Sequence, residues 1–125
     1  MQEKYNITDA ELEIMKILWK NKQCNLQTLL EELNNNEEKN KNTIKTLIHR
    51  LVQKGTIASK KVGTKEVVYV PKISKKRFLT KESNSFLKKF FNGNTEKLLL
   101  NFVENKKVSK EELERIIEIL EKEEN

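Results

Sequence analysis

Apolar positions along the chain recur first at helical spacing, switch once to the two-residue spacing of a strand pair, and then return to helical spacing. Leu12, Met15, Leu18 and Trp19, with Ile14 and Ile17 widening the stripe, predict a first helix that stops near Asn21. Thr8 and Glu11 mark its start, spaced as a capping box in which each side chain satisfies an orphan backbone N–H, and Ile7 is placed as a hydrophobic staple. Asn25 caps a second helix with Leu26, Leu29, Leu30 and Leu33 on its buried face. The run Asn34-Asn35-Asn36 ends it, because asparagine side chains compete for backbone hydrogen bonds. Asn40 caps a third helix, whose apolar face is Ile44, Leu47, Ile48, Leu51 and Val52 and whose stop is Gly55.

The period then changes. Ile57 to Val62 and Glu66 to Val70 are rich in Val, Ile and Tyr and predict two strands, joined by a turn at Gly63-Thr64-Lys65 and closed by Pro71. Beyond Pro71, Phe78, Leu79, Phe86, Leu87, Phe90 and Phe91 mark a long helix closing at Gly93. Asn94 caps a helix carrying Leu98, Leu99, Leu100, Phe102 and Val103. Ser109 and Glu112 form a second capping box, before a last helix with Leu113, Ile116, Ile117 and Leu120 on one face.

The expected fold is mostly α with a small β-hairpin. Residues 1–73 form a winged helix-turn-helix domain, and residues 74–125 a three-helix dimerisation domain. Two small helical units in a chain of 125 residues, 36% hydrophobic and 35% charged, have lean cores, and pairing of two chains would repair the deficit. The dimerisation surface is expected to draw on Phe86, Phe90, Leu98, Leu99, Phe102, Val103, Leu113, Ile116, Ile117 and Leu120.

Charge sharpens the picture through its location. The net charge of +6 suits a polyanionic partner or mere solubility. From Lys39 to Lys65, however, the chain holds Lys39, Lys41, Lys45, Arg50, Lys54, Lys60, Lys61 and Lys65 and no carboxylate. This run covers the third helix and the hairpin, the two elements that a winged helix presents to double-stranded DNA. Asn42, Thr43, Lys45, Thr46, His49 and Arg50 fall mainly on the helix side away from the apolar stripe. The expected DNA-binding set is therefore Lys41, Asn42, Thr43, Lys45, Thr46, His49, Arg50, Lys60, Lys61 and Lys65. A winged helix that binds protein instead is the alternative, and the steep salt dependence of DNA binding separates the two.

Other chemistries find little support. One cysteine, Cys24, allows no internal disulfide and fits a reducing cytoplasm, and with the single His49 it cannot build a structural zinc site. No catalytic constellation or glycine-rich phosphate loop is present among three glycines, so neither an enzyme nor a cofactor is expected. Trp19 and Tyr69 read as packing residues. No signal peptide and no membrane-inserting stretch is expected.

Certain runs are specific enough to suggest relatives. Ile7-Thr8-Asp9-Ala10-Glu11, leading to Ile17-Leu18-Trp19, resembles the opening helix of the penicillinase-repressor family of BlaI/MecI type, which also includes the copper-responsive CopY repressors. Thr43-Ile44-Lys45-Thr46-Leu47-Ile48-His49-Arg50-Leu51 is similar to its recognition helix, T-I-R-T-L-I-T-R-L. Val68-Tyr69-Val70-Pro71 resembles the end of its wing, and Leu98-Leu99-Leu100-Asn101-Phe102 its fifth helix.

The resemblance implies a homodimeric repressor on a palindromic operator, released when a membrane sensor metalloprotease that detects a β-lactam triggers cleavage of the repressor. It implies the bond between Asn101 and Phe102 as the cleavage site. Lys45 and His49 depart from the family's arginine and threonine, which opens the way to a different operator, because arginine binds bidentately and lysine does not. The paired C-terminal cysteines of the copper branch are missing, which argues against copper sensing; another signal than a β-lactam stays open.

Overall fold

A computed structural model describes residues 5–33 and 38–124. The helices are α1 (Asp9–Asn21), α2 (Leu26–Glu32), α3 (Glu38–Gln53), α4 (Lys75–Phe91), α5 (Thr95–Glu104) and α6 (Lys110–Glu124); the strands β1 (Ile57–Val62) and β2 (Glu66–Pro71) lie between α3 and α4.

Local signals set most boundaries. Thr8 Oγ1 accepts from Glu11 N–H at 3.2 Å while Glu11 Oε1 accepts from Thr8 N–H at 2.9 Å, the reciprocal box that starts α1. Asn25 and Asn94 cap α2 and α5 by accepting from Thr28 and Lys97 N–H. Ser109 and Glu112 repeat the box before α6. Gly55 follows α3 at φ +79°, a left-handed conformation that a Cβ would strain.

Two details differ from expectation. Helix α3 begins at Glu38, so Asn40 lies inside it rather than at its cap; Glu and Lys are better helix formers than Asn, and the helix continues back through them. Val52 is exposed, because by its position the i, i+4 drift has carried it off the buried stripe. The expected stop at Asn34-Asn35-Asn36 lies outside the described residues.

The chain divides into two compact units, residues 1–82 and 83–125. In the first, Ile14, Met15 and Leu18 of α1, Leu29 and Leu30 of α2, and Ile44, Leu47, Ile48 and Leu51 of α3 form one core with Cys24 and Ile57. The strands pair antiparallel, with Ile57 opposite Pro71 and Val62 opposite Glu66. Cys24 adds a short third rung: its N–H donates to Tyr69 O at 3.1 Å and its carbonyl accepts from Tyr69 N–H at 2.7 Å. The hairpin is thereby stitched to the segment between α1 and α2. The first unit takes in the start of α4, where Phe78 is buried and its ring lies 5.2 Å from Trp19 and 5.9 Å from Tyr5.

The second unit has a different character. None of the residues of α5 or α6 is buried. Phe86 and Phe90 of α4 pack on each other at 4.9 Å yet remain exposed.

Candidate nucleic-acid interface

Helix α3 separates its residues cleanly. Ile44, Leu47, Ile48 and Leu51 face the core, while Asn42, Thr43, Lys45, Thr46, His49 and Arg50 are exposed and Lys41 is half-buried. Asn42, Lys45, Thr46 and His49 follow the i, i+3, i+4, i+7 spacing of one face. Lys45 and Arg50 can neutralise phosphates, and Arg50 can also meet a guanine edge with two donors. Thr46 Oγ1 donates to Asn42 O at 3.1 Å, so its proton is committed to the helix and it meets DNA through its lone pairs and methyl group. The side chain of Lys39 lies outside the described part.

The hairpin distributes its lysines differently. Lys60 pairs across the ladder with Val68 and Lys61 with Val67, so these two neighbours project from opposite faces. Both are exposed, as is Lys65 in the turn. The wing thus carries charge on both faces and at its tip.

Lys54 leaves the cationic set altogether. Its ammonium is 2.6 Å from Glu11 Oε1 and also donates to Asn6 O at 2.7 Å. Burial works to raise the Glu11 carboxyl, but the Lys54 ammonium and the Thr8 N–H outweigh it and hold the carboxyl below its usual range. This pair fastens the start of α1 to the end of α3 and serves the fold.

Another pairing positions the wing. Asn25 Nδ2 donates to Glu66 Oε1 at 2.9 Å, while Asn25 Oδ1 caps α2. One side chain therefore joins the N-terminus of α2 to the first residue of β2. The only local signal was the cap; the cross-link spans a sequence separation of 41. Tyr69 is half-buried and Cys24 buried, as packing residues, and burial pushes the Cys24 thiol up, away from reactivity. Among the described residues, no group of three His, Cys, Asp or Glu side chains could hold a metal ion, and no helix is long and apolar enough to cross a membrane.

A tri-helical core, a helix with a polar cationic face and a two-stranded ribbon after it define a winged helix-turn-helix DNA-binding protein. The penicillinase repressor family matches residues 7–122. The chain is 38% identical to the penicillinase repressor of Bacillus licheniformis over 95% of its own length and 92% of that protein. It is 36% identical to the methicillin resistance regulatory protein MecI of Staphylococcus aureus (strain N315), over 94% of this chain and 95% of that one. The solved DNA-binding domain of the repressor BlaI is similar at 36% identity with a TM-score of 0.49, covering 60% of this chain and 90% of that domain. The chain belongs to the penicillinase repressor family, a family of transcriptional repressors and not of enzymes.

Proposed function

We propose that this repressor works in the cytoplasm as a homodimer on a palindromic operator, and that cleavage within α5 inactivates it in response to a β-lactam-type signal relayed by a membrane metalloprotease. The observation that carries the DNA-binding half is the exposed face of α3, where Asn42, Lys45, Thr46 and His49 stand together with Arg50 beside them and no carboxylate between. Two such helices, held by one dimer, would read two half-sites. Linking the half-site contacts raises affinity far beyond that of one domain alone.

Pairing of two chains is supported by the helices after the first unit. Leu99, Phe102 and Val103 of α5 and Ile116, Ile117 and Leu120 of α6 are all exposed, and Leu98 and Leu113 only half-buried. Leu100 of α5 and Ile119 of α6 are exposed too. A monomer leaving so much apolar area in water would lose about 25 cal/mol for every Å² that a partner could cover. Asn101 and Phe102 are both exposed within α5. A cut between them would detach α6 and the end of α5, weaken the dimer and release the operator. The relatives named for penicillinase and methicillin resistance support the β-lactam signal.

Fluorescence anisotropy with fragments of the promoters flanking the gene tests the reading. Full-length protein should bind one palindrome with a steep decline as salt rises. Residues 1–82 should bind the same fragment far more weakly. Binding that is insensitive to salt, or no binding at low salt, would reject the proposal.

A further inference from the structure

On the first unit, a cavity of about 570 Å³ opens between α1 and the chain leaving β2. Its apolar floor is made by Trp19, Val70, Pro71 and Ile73. Five lysines surround it, namely Lys16, Lys20 and Lys22 on one side and Lys72 and Lys75 on the other, and among the described residues no carboxylate lines it. Lys16 and Lys20 share their charge with Glu13 at 3.5 Å and Glu32 at 3.7 Å. The other three ammonium groups have no ion pair or hydrogen bond among the described residues. Like charges gathered around a low-dielectric concavity repel one another, and an anion seated there relieves that repulsion.

The floor is built rather than incidental. Trp19 Nε1 donates to Ile73 O at 3.0 Å, and Lys72 N–H donates to Thr56 O at 2.8 Å, so the bend after β2 is pinned at two points. Because the indole N–H is committed, Trp19 offers a guest its apolar ring and not a hydrogen bond. Ser74 Oγ accepts from Arg77 N–H at 3.0 Å, which leaves its own O–H free to donate. The volume lies in the range that encloses a small organic ligand. The cavity sits at the base of the hairpin, about 20 Å along the strands from the turn at Gly63. It is therefore separate from the wing tip.

We propose that this cavity binds a small aromatic anion, a carboxylate or sulfonate of one to three rings, with its charge among Lys22, Lys72 and Lys75 and its ring against Trp19. Nothing in this assignment depends on DNA binding.

Trp19 is the single tryptophan of the chain, so its fluorescence reports on the cavity directly. The probe is 8-anilinonaphthalene-1-sulfonate, titrated into full-length protein with excitation of the indole. Saturable quenching of Trp19 at one probe per chain is expected. It should weaken about tenfold in the double variant Lys72→Glu/Lys75→Glu, the effect of reversing two exposed charges. The variant should keep the wild-type circular dichroism and operator affinity. The uncharged analogue N-phenyl-1-naphthylamine should quench much less. An unchanged midpoint in the double variant, or equal quenching by the uncharged analogue, would place the probe on the apolar faces of α4 to α6 and overturn the proposal. So would loss of operator affinity in the variant with no quenching in the wild type, which would make these lysines part of the DNA footprint.

Discussion

Glu11 Oε1 accepts a hydrogen bond from Lys54 Nζ at 2.6 Å, and Glu11 is fully buried while the Lys54 side chain keeps about a third of its surface in water. The partners behave differently when separated. Lys54→Ala leaves a buried carboxylate without its counter-charge and should cost about 3 kcal/mol. Glu11→Gln leaves only a cation that can turn to solvent and should cost about 1–2 kcal/mol. Urea unfolding of both variants checks the order.

The same pair sets an acid limb. The Glu11 carboxyl is held below its usual range, so its contribution is complete above the unfolded value of about 4.3 and is lost as pH falls through the lower folded value. Wild-type stability should therefore drop on acidification by more than that of Glu11→Gln. Parallel curves for the two proteins from pH 7 down to about 3 would remove the pair from the account.

Lys45 is exposed in the middle of the polar face of α3. Lys45→Ala should weaken operator binding while leaving the melting temperature within a degree or so, as surface substitutions usually do. If the ammonium neutralises a phosphate, the slope of log affinity against log salt should shrink by about one. Anisotropy at four or five salt concentrations measures both quantities.

What the sequence disclosed was local. Capping pairs three residues apart, such as Thr8 with Glu11 and Ser109 with Glu112, and glycines such as Gly55 act within one turn of chain, so their meaning is visible in linear order. Contacts distant in sequence were not. The acid-free run grouped Lys54 with the DNA-facing cations, because nothing near it reveals a carboxylate 43 positions earlier. The split between Lys60 and Lys61 was present in the two-residue period of a strand but hidden by counting charge along the run. Trp19 reads as a packing residue from its helical spacing. It does pack beside the core, yet it also lines a cavity whose other wall comes from residues 70–75.

Ile116 and Ile117 are exposed on α6, a helix with no buried residue among the described residues. If a second chain covers it, Ile116→Glu/Ile117→Glu buries two charges at the interface. The dimer constant should then rise by at least about a hundredfold. Sedimentation equilibrium should find wild-type dimers, a largely monomeric variant and monomeric residues 1–82. Near-unchanged circular dichroism would separate loss of pairing from loss of folding.

The proposed cleavage bond lies inside a helix, and that makes its rate depend on unwinding. The Asn101 carbonyl accepts from Asn105 N–H at 3.1 Å and from Asn105 Nδ2 at 2.9 Å, so a protease cannot engage it without opening the end of α5. Helix α5 is short and has no buried residue within the single chain, so its own hydrogen bonds and the proposed dimer contact are what resist its opening. Asn94→Ala removes the cap at its other end, where Asn94 Oδ1 accepts from Lys97 N–H at 3.0 Å. Loss of such a cap costs about 1 kcal/mol, which corresponds to about a fivefold larger open population. Asn94→Ala should therefore be cut about fivefold faster in induced cells. Asn101→Ala should resist cutting and keep its genes silent. Mass spectrometry of the fragments reads both results: an N-terminal product ending anywhere but Asn101, or identical rates for wild type and Asn94→Ala, would rule this mechanism out.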